Sequence, residues 1–64
     1  MEKYILYYRY TCERTGEEWG DNEWCFADSS EDAVNIGKSR IHHFARNNKF
    51  LISVTLNGTQ VWHV

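Results

Sequence analysis

The sequence predicts an α+β fold: one antiparallel four-stranded sheet, in the order β-β-α-β-β, with a single helix packed on one face. Three observations lead there. Asn57-Gly58 sits between two strand-like runs, and that pair is the strongest short hairpin signal. Ser29-Ser30-Glu31-Asp32 opens a stretch of helical periodicity. The first twelve residues are rich in Tyr, Ile and Leu and hold neither Gly nor Pro, a composition that favours extended chain.

The first element is a strand over Lys3–Cys12. Tyr4, Leu6, Tyr8 and Tyr10 point to one face, and Ile5, Tyr7, Arg9 and Thr11 to the other. Both faces are partly apolar, which suits a central strand. Glu13–Asn22 holds Gly16, Gly20, Asp21 and Asn22 and reads as a loop. A second strand covers Glu23–Ala27, with Trp24 and Phe26 on one side. The helix is expected from Ser30 to Asn47. A serine hydroxyl accepts from a free backbone N–H at its start, and Glu31 and Asp32 suit the positive end of its dipole. Ala33, Val34, Gly37, Ile41, Phe44 and Ala45 form its apolar stripe. Gly37 costs about 1 kcal/mol against Ala in a helix interior, so close approach to the sheet is the expected reason for it. Arg46 and Lys49 suit the helix C-terminus, and Asn47-Asn48 a left-handed end.

The last unit is a hairpin of Phe50–Leu56 and Thr59–Val64. A two-residue loop pairs Leu56 with Thr59, Val54 with Val61 and Ile52 with His63. Ile52, Val54, Leu56 and Val61 then face the helix, while Leu51, Ser53, Thr55, Gln60 and Trp62 face away. Trp62 is thus expected on the open face near Leu51 and Tyr7, a position suited to base stacking, to a partner or to dimerisation.

Sixty-four residues make one domain, 1–64, with a small core carried largely by aromatics. No apolar run spans a membrane and the N-terminus has no signal-peptide core, so the expectation is a cytoplasmic protein. Cys12 and Cys25 are read as reduced thiols, with cross-strand pairing as the alternative. Cys12, Cys25, His42, His43 and His63 lack zinc-ligand spacing. No nucleophile elbow, phosphate loop or metalloprotease motif is present. The expectation is a non-enzymatic protein needing no cofactor or metal.

Charge is sorted along the chain. Glu13, Glu17, Glu18, Asp21, Glu23, Asp28, Glu31 and Asp32 face one base, Arg14, between positions 13 and 32; from Ala33 onward there is no carboxylate. Helix polarity accounts for Glu31 and Asp32. The acids from Glu13 to Glu23, with Asp28 and Trp19, are the candidate partner-binding residues. They can imitate a phosphate backbone and occupy a basic groove. The alternative surface is Lys38, Arg40, Arg46, Lys49 and Trp62, contacting nucleic acid directly. Dimerisation or protein interaction through the Trp62 face is a third possibility.

The passage from Phe26 to Val34, the helix after it and the Asn57-Gly58 hairpin together resemble very small phage and mobile-element proteins, most of all the sheet-and-helix anti-CRISPR inhibitors. That resemblance implies a stoichiometric inhibitor that binds a CRISPR effector, or another nucleic-acid-handling complex of the host, and blocks DNA access. The same passage looks like the N-terminal half of HicB-type antitoxins, although the Pro-Asp-Leu-Pro-Gly-like segment of that family is missing.

Overall fold

The computed structural model describes residues 1–41 and 47–64. Strand β1 (Glu2–Cys12) and strand β2 (Glu18–Ala27) form a long hairpin; helix α1 (Ser30–Ser39), strand β3 (Asn47–Leu56) and strand β4 (Thr59–His63) follow. All pairings are antiparallel and the strand order is β2-β1-β3-β4. The element order and class are those the sequence predicts, with β1 in the interior.

The core lies between α1 and one sheet face. Tyr4, Leu6 and Tyr8 from β1, Cys25 and Ala27 from β2, Ala33 and Val34 from α1, and Leu51 and Val54 from β3 are buried together. Tyr8 is buried whole because its hydroxyl has a partner there, donating to the Gly37 carbonyl at 2.8 Å. Burial pushes the Tyr8 phenol above its ordinary pKa, and the nearby Glu23 adds to the effect.

The second half of the expected loop, Glu18–Asn22, is strand and belongs to β2. The chain turns within five residues: the Gly16 amide donates to the Cys12 carbonyl, the Cys12 amide donates to the Glu17 carbonyl, and Gly16 takes a φ of 73° that glycine adopts without steric cost. Gly20, Asp21 and Asn22 are therefore strand residues opposite Arg9, Tyr8 and Tyr7. They are tolerated because β2 is an edge, where little packing is asked of them. Cys12 pairs with Asn47 and Cys25 with Tyr4, so the two thiols sit eight positions apart along β1, beyond disulfide reach. Both are free.

Helix α1 is shorter than the periodicity implies. Ser29 caps it, its hydroxyl accepting from the Asp32 amide at 3.1 Å. Ser29→Ala is expected to lower unfolding stability by about 1 kcal/mol, read as a lower urea midpoint with an unchanged slope. The last turn tightens: the Arg40 and Ile41 amides donate to the Gly37 and Lys38 carbonyls, three residues back, and the Ser39 hydroxyl donates to the Ile36 carbonyl at 2.7 Å. These bonds satisfy the terminal carbonyls and end the helix. Ile41 packs on the core from beyond the helix. Phe44, Ala45, His42, His43 and Arg46 lie outside the described residues. Asn47 and Asn48 open β3 rather than closing the helix.

Asn57 (φ 52°) and Gly58 (φ 80°) make the expected two-residue turn. Two irregularities then reset the faces. Leu56 pairs with Thr59 and Thr55 with Gln60, but Val54 pairs with Trp62 and Ser53 with His63, so Val61 is the extra residue. On the other side of β3, Tyr7 pairs with Ser53 and Tyr8 with Leu51, so Ile52 is the extra residue. Each bulge reverses the inside–outside alternation beyond it. Leu51 thereby enters the core and Trp62 packs against it, whereas Val61 is exposed. The expected positions of Leu51, Ile52, Val61 and Trp62 are corrected accordingly. Turning Trp62 inward in place of Val61 buries a larger apolar surface.

Candidate partner-binding surface

Every residue from Glu13 to Asn22 is exposed. The turn and the distal half of β2 therefore form one uninterrupted ridge, carrying Glu13, Glu17, Glu18 and Asp21 with Arg14 as its one base. Its shape is held by strand pairing and by local bonds. Trp19 stacks on Tyr10 with ring centroids 5.5 Å apart and planes 6° from parallel. The Tyr10 hydroxyl donates to Asp21 Oδ2 at 3.3 Å, and the Glu17 amide donates to Thr15 Oγ1 at 3.2 Å. Glu18 faces Arg9 at 3.8 Å, both side chains well exposed, so that pair contributes little.

Not all the candidate acids belong to the ridge. Glu23 turns to the helix side, where its Oε2 accepts from Lys49 Nζ at 2.7 Å and its Oε1 lies 3.6 Å from Arg40. Asp28 follows the far end of β2, beside Glu31 and Asp32 at the start of α1. The molecule is 39 Å long, so the carboxylates separate into an acidic ridge at one end and a helix-start group at the other.

The edge strand is partly closed against further strand pairing. The Asn22 N–H donates to the Asp21 carboxylate at 2.9 Å, and the Trp24 carbonyl accepts from the Arg40 guanidinium at 2.9 Å. Side chains thus satisfy backbone groups that would otherwise recruit another strand. What the ridge offers a partner is its side-chain charge.

The basic set is not gathered on one surface. Lys49, expected near a helix end, is a buried residue of β3, its ammonium 4.2 Å from the Tyr8 ring centroid and 5.4 Å from that of Tyr10. Arg40 is engaged by β2, and Lys38 lies 5.6 Å over the half-buried Trp62 ring. Arg46 lies outside the described residues. Burial works to lower the Lys49 pKa, but the hydrogen bond to Glu23, with Tyr10 and the Glu23 charge, outweighs it and holds the ammonium above the ordinary lysine value.

The open sheet face expected to carry Trp62 carries other aromatics instead. On the sheet face away from α1, Trp24, Phe26 and Phe50 are 51–54% exposed. Ile5 and Tyr7 lie half-buried on the same face. Trp24 and Phe26 meet edge to face at 5.4 Å, and Lys3 Nζ sits 5.0 Å over the Trp24 ring. The apolar character of both β1 faces was the available signal. What hid the face's composition was the pair of bulges: the extra residue Ile52 in β3 sends Phe50 outward, and the extra residue Val61 in β4 turns Trp62 inward.

Among the described residues, no group of three or more His, Cys, Asp or Glu is placed to hold a metal ion, and no helix is long and apolar enough to cross a membrane. The Cys12 thiol is held below its ordinary pKa by the Thr15 hydroxyl and the Thr15 and Arg14 amides of the turn; burial raises that of Cys25. No family model, curated protein or solved structure matches the chain.

Proposed function

We propose that this protein is a non-enzymatic inhibitor that inserts its acidic ridge into a basic groove of a nucleic-acid-handling complex, taking the place of the nucleic acid. The supporting observation is the unbroken exposure of residues 13–22, with four carboxylates and one base: Glu13 and Glu17 flank a tight hydrogen-bonded turn, and Glu18 and Asp21 stand on strand-paired backbone. Carboxylates in fixed positions lose little conformational freedom on meeting Lys and Arg. They steer encounter with a basic surface through the long-range field as well. Trp19, stacked and exposed beside Asp21, is the ridge's apolar anchor. In this role the chain acts stoichiometrically, in the manner of the phage and mobile-element inhibitors it resembles, inside the cell that houses the complex.

The test uses a fluorescent arginine-rich peptide as a surrogate groove, with binding followed by anisotropy at low salt. Glu13→Lys/Glu17→Lys is expected to weaken binding at least about tenfold, and added salt to weaken wild-type binding. Asp28→Lys/Glu31→Lys makes the same change in net charge at the opposite end and is expected to retain most of the affinity. Equal losses in the two variants would mean that net charge alone, and not the ridge, attracts the peptide. Salt-sensitive binding of the wild type to labelled DNA or RNA would instead favour direct nucleic-acid contact.

A further inference from the structure

The sheet face away from α1 is uncovered among the described residues, and it demands a separate explanation. A sheet with two apolar faces needs a layer on each. Here α1 supplies one layer, and among the described residues nothing supplies the other. We propose that the face formed by Ile5, Tyr7, Trp24, Phe26 and Phe50 packs against the same face of a second copy of the chain, giving a two-sheet homodimer with the helices outermost.

Charge is the first reason for choosing a second copy. The chain is acidic overall, yet this face is close to neutral. Its charged strand residues are Lys3 at one end and the Arg9–Glu18 pair, 3.8 Å apart, at the other. A strongly basic or acidic partner finds no counterpart there. When two copies stack with their strands antiparallel, Lys3 of each approaches Glu18 of the other, and no carboxylate is set against a carboxylate.

Size is the second reason. Four strands about 4.8 Å apart, with roughly eight residues rising about 3.3 Å each, make a face on the order of 500 Å². Two such faces bury on the order of 1,000 Å² or more once side-chain relief is counted, which reaches the range of a specific interface. The exposed rings of Trp24, Phe26 and Phe50 are the residue types that carry interface energy. Edge-to-edge association is the competing geometry for two copies, and the side-chain bonds to the Asn22 N–H and the Trp24 carbonyl oppose it.

Sedimentation equilibrium of the full chain from about 1 μM to about 200 μM should show monomer giving way to dimer, with a thermal midpoint that rises with concentration. Phe26→Lys changes an exposed side chain and should raise the dimer dissociation constant at least about tenfold while leaving the circular dichroism unchanged. Thr55→Arg, on the same face, serves as the second variant if Phe26→Lys does not fold. A wild type that stays monomeric at the highest concentration overturns the proposal, as does a dimer that the folded face variant leaves intact. Glu13→Lys/Glu17→Lys should dimerise like wild type. Loss of the dimer in that variant would locate the interface on the ridge and overturn the face-to-face arrangement, whereas loss of peptide binding alone concerns only the ridge.

Discussion

Gly37→Val is expected to lower the unfolding free energy by about 3 kcal/mol, enough to unfold much of a domain this small at room temperature. The position has no spare room. A Cβ added to Gly37 would stand 2.9 Å and 3.2 Å from the two terminal methyls of Leu51, and 3.4 Å from a Leu6 methyl. Both leucines are buried, so their methyls have no free volume to retreat into. Gly37 also presents the carbonyl that accepts from Tyr8, so a helix pushed outward loses that bond too. Gly37→Ala separates the two effects. Helix propensity returns about 1 kcal/mol, and one methyl costs about as much or somewhat more, leaving a small net loss. Pairing Gly37→Ala with Leu51→Ala should be less damaging than the sum of the single changes, because each relieves the other. A Gly37→Val protein with the wild-type urea midpoint would show that the helix does not rest on Leu51.

Gly37 was readable in the sequence as a point of close approach, because glycine in a helix interior asks for a steric reason. The Ser29 cap, the Asn57-Gly58 turn and the β1 alternation were readable for similar reasons: each is a local signal with one dominant cause. The misplacements share a different origin. Trp62 and Leu51 changed faces through single extra residues at Val61 and Ile52, and a bulge leaves no compositional mark when the strand is apolar on both sides. Gly20-Asp21-Asn22 had the composition of a loop and forms an edge strand, because an edge accepts residues that an interior strand rejects. The helix was read too long because Ile41 continues the apolar spacing from outside it. For the candidate site, the acidic run was legible as a run. Its division between the ridge, the ion pair at Glu23 and the helix start depended on strand register, which the sequence left open once the loop was misjudged.

Glu23 and Lys49 should respond unequally to removal. Glu23→Leu is expected to cost about 2–3 kcal/mol, and Lys49→Met no more than about 1 kcal/mol. The difference follows from what each change leaves behind. The Lys49 side chain is 7% exposed and that of Glu23 32%. Without Glu23 the ammonium remains buried, with the Tyr8 and Tyr10 rings on one side and its carboxylate gone. Without Lys49 the carboxylate keeps solvent and Arg40 at 3.6 Å, and methionine fills the lysine's apolar volume. The pH dependence should differ in sign as well. In the wild type the Lys49 pKa is raised above its ordinary 10.5, so its contribution is complete below that value and is lost only as pH climbs through the folded-state pKa. In Glu23→Leu, burial, the largest influence on Lys49, is opposed by Tyr10 alone and lowers the Lys49 pKa. Folding then favours the neutral amine, and stability should rise as pH increases from about 7 to about 9.5. Urea midpoints of the three proteins across that range decide the matter. Equal costs for the two substitutions, or a Glu23→Leu midpoint that falls with pH, would mean that water reaches the ammonium and that the pair is not the closed contact between β2 and β3 described above.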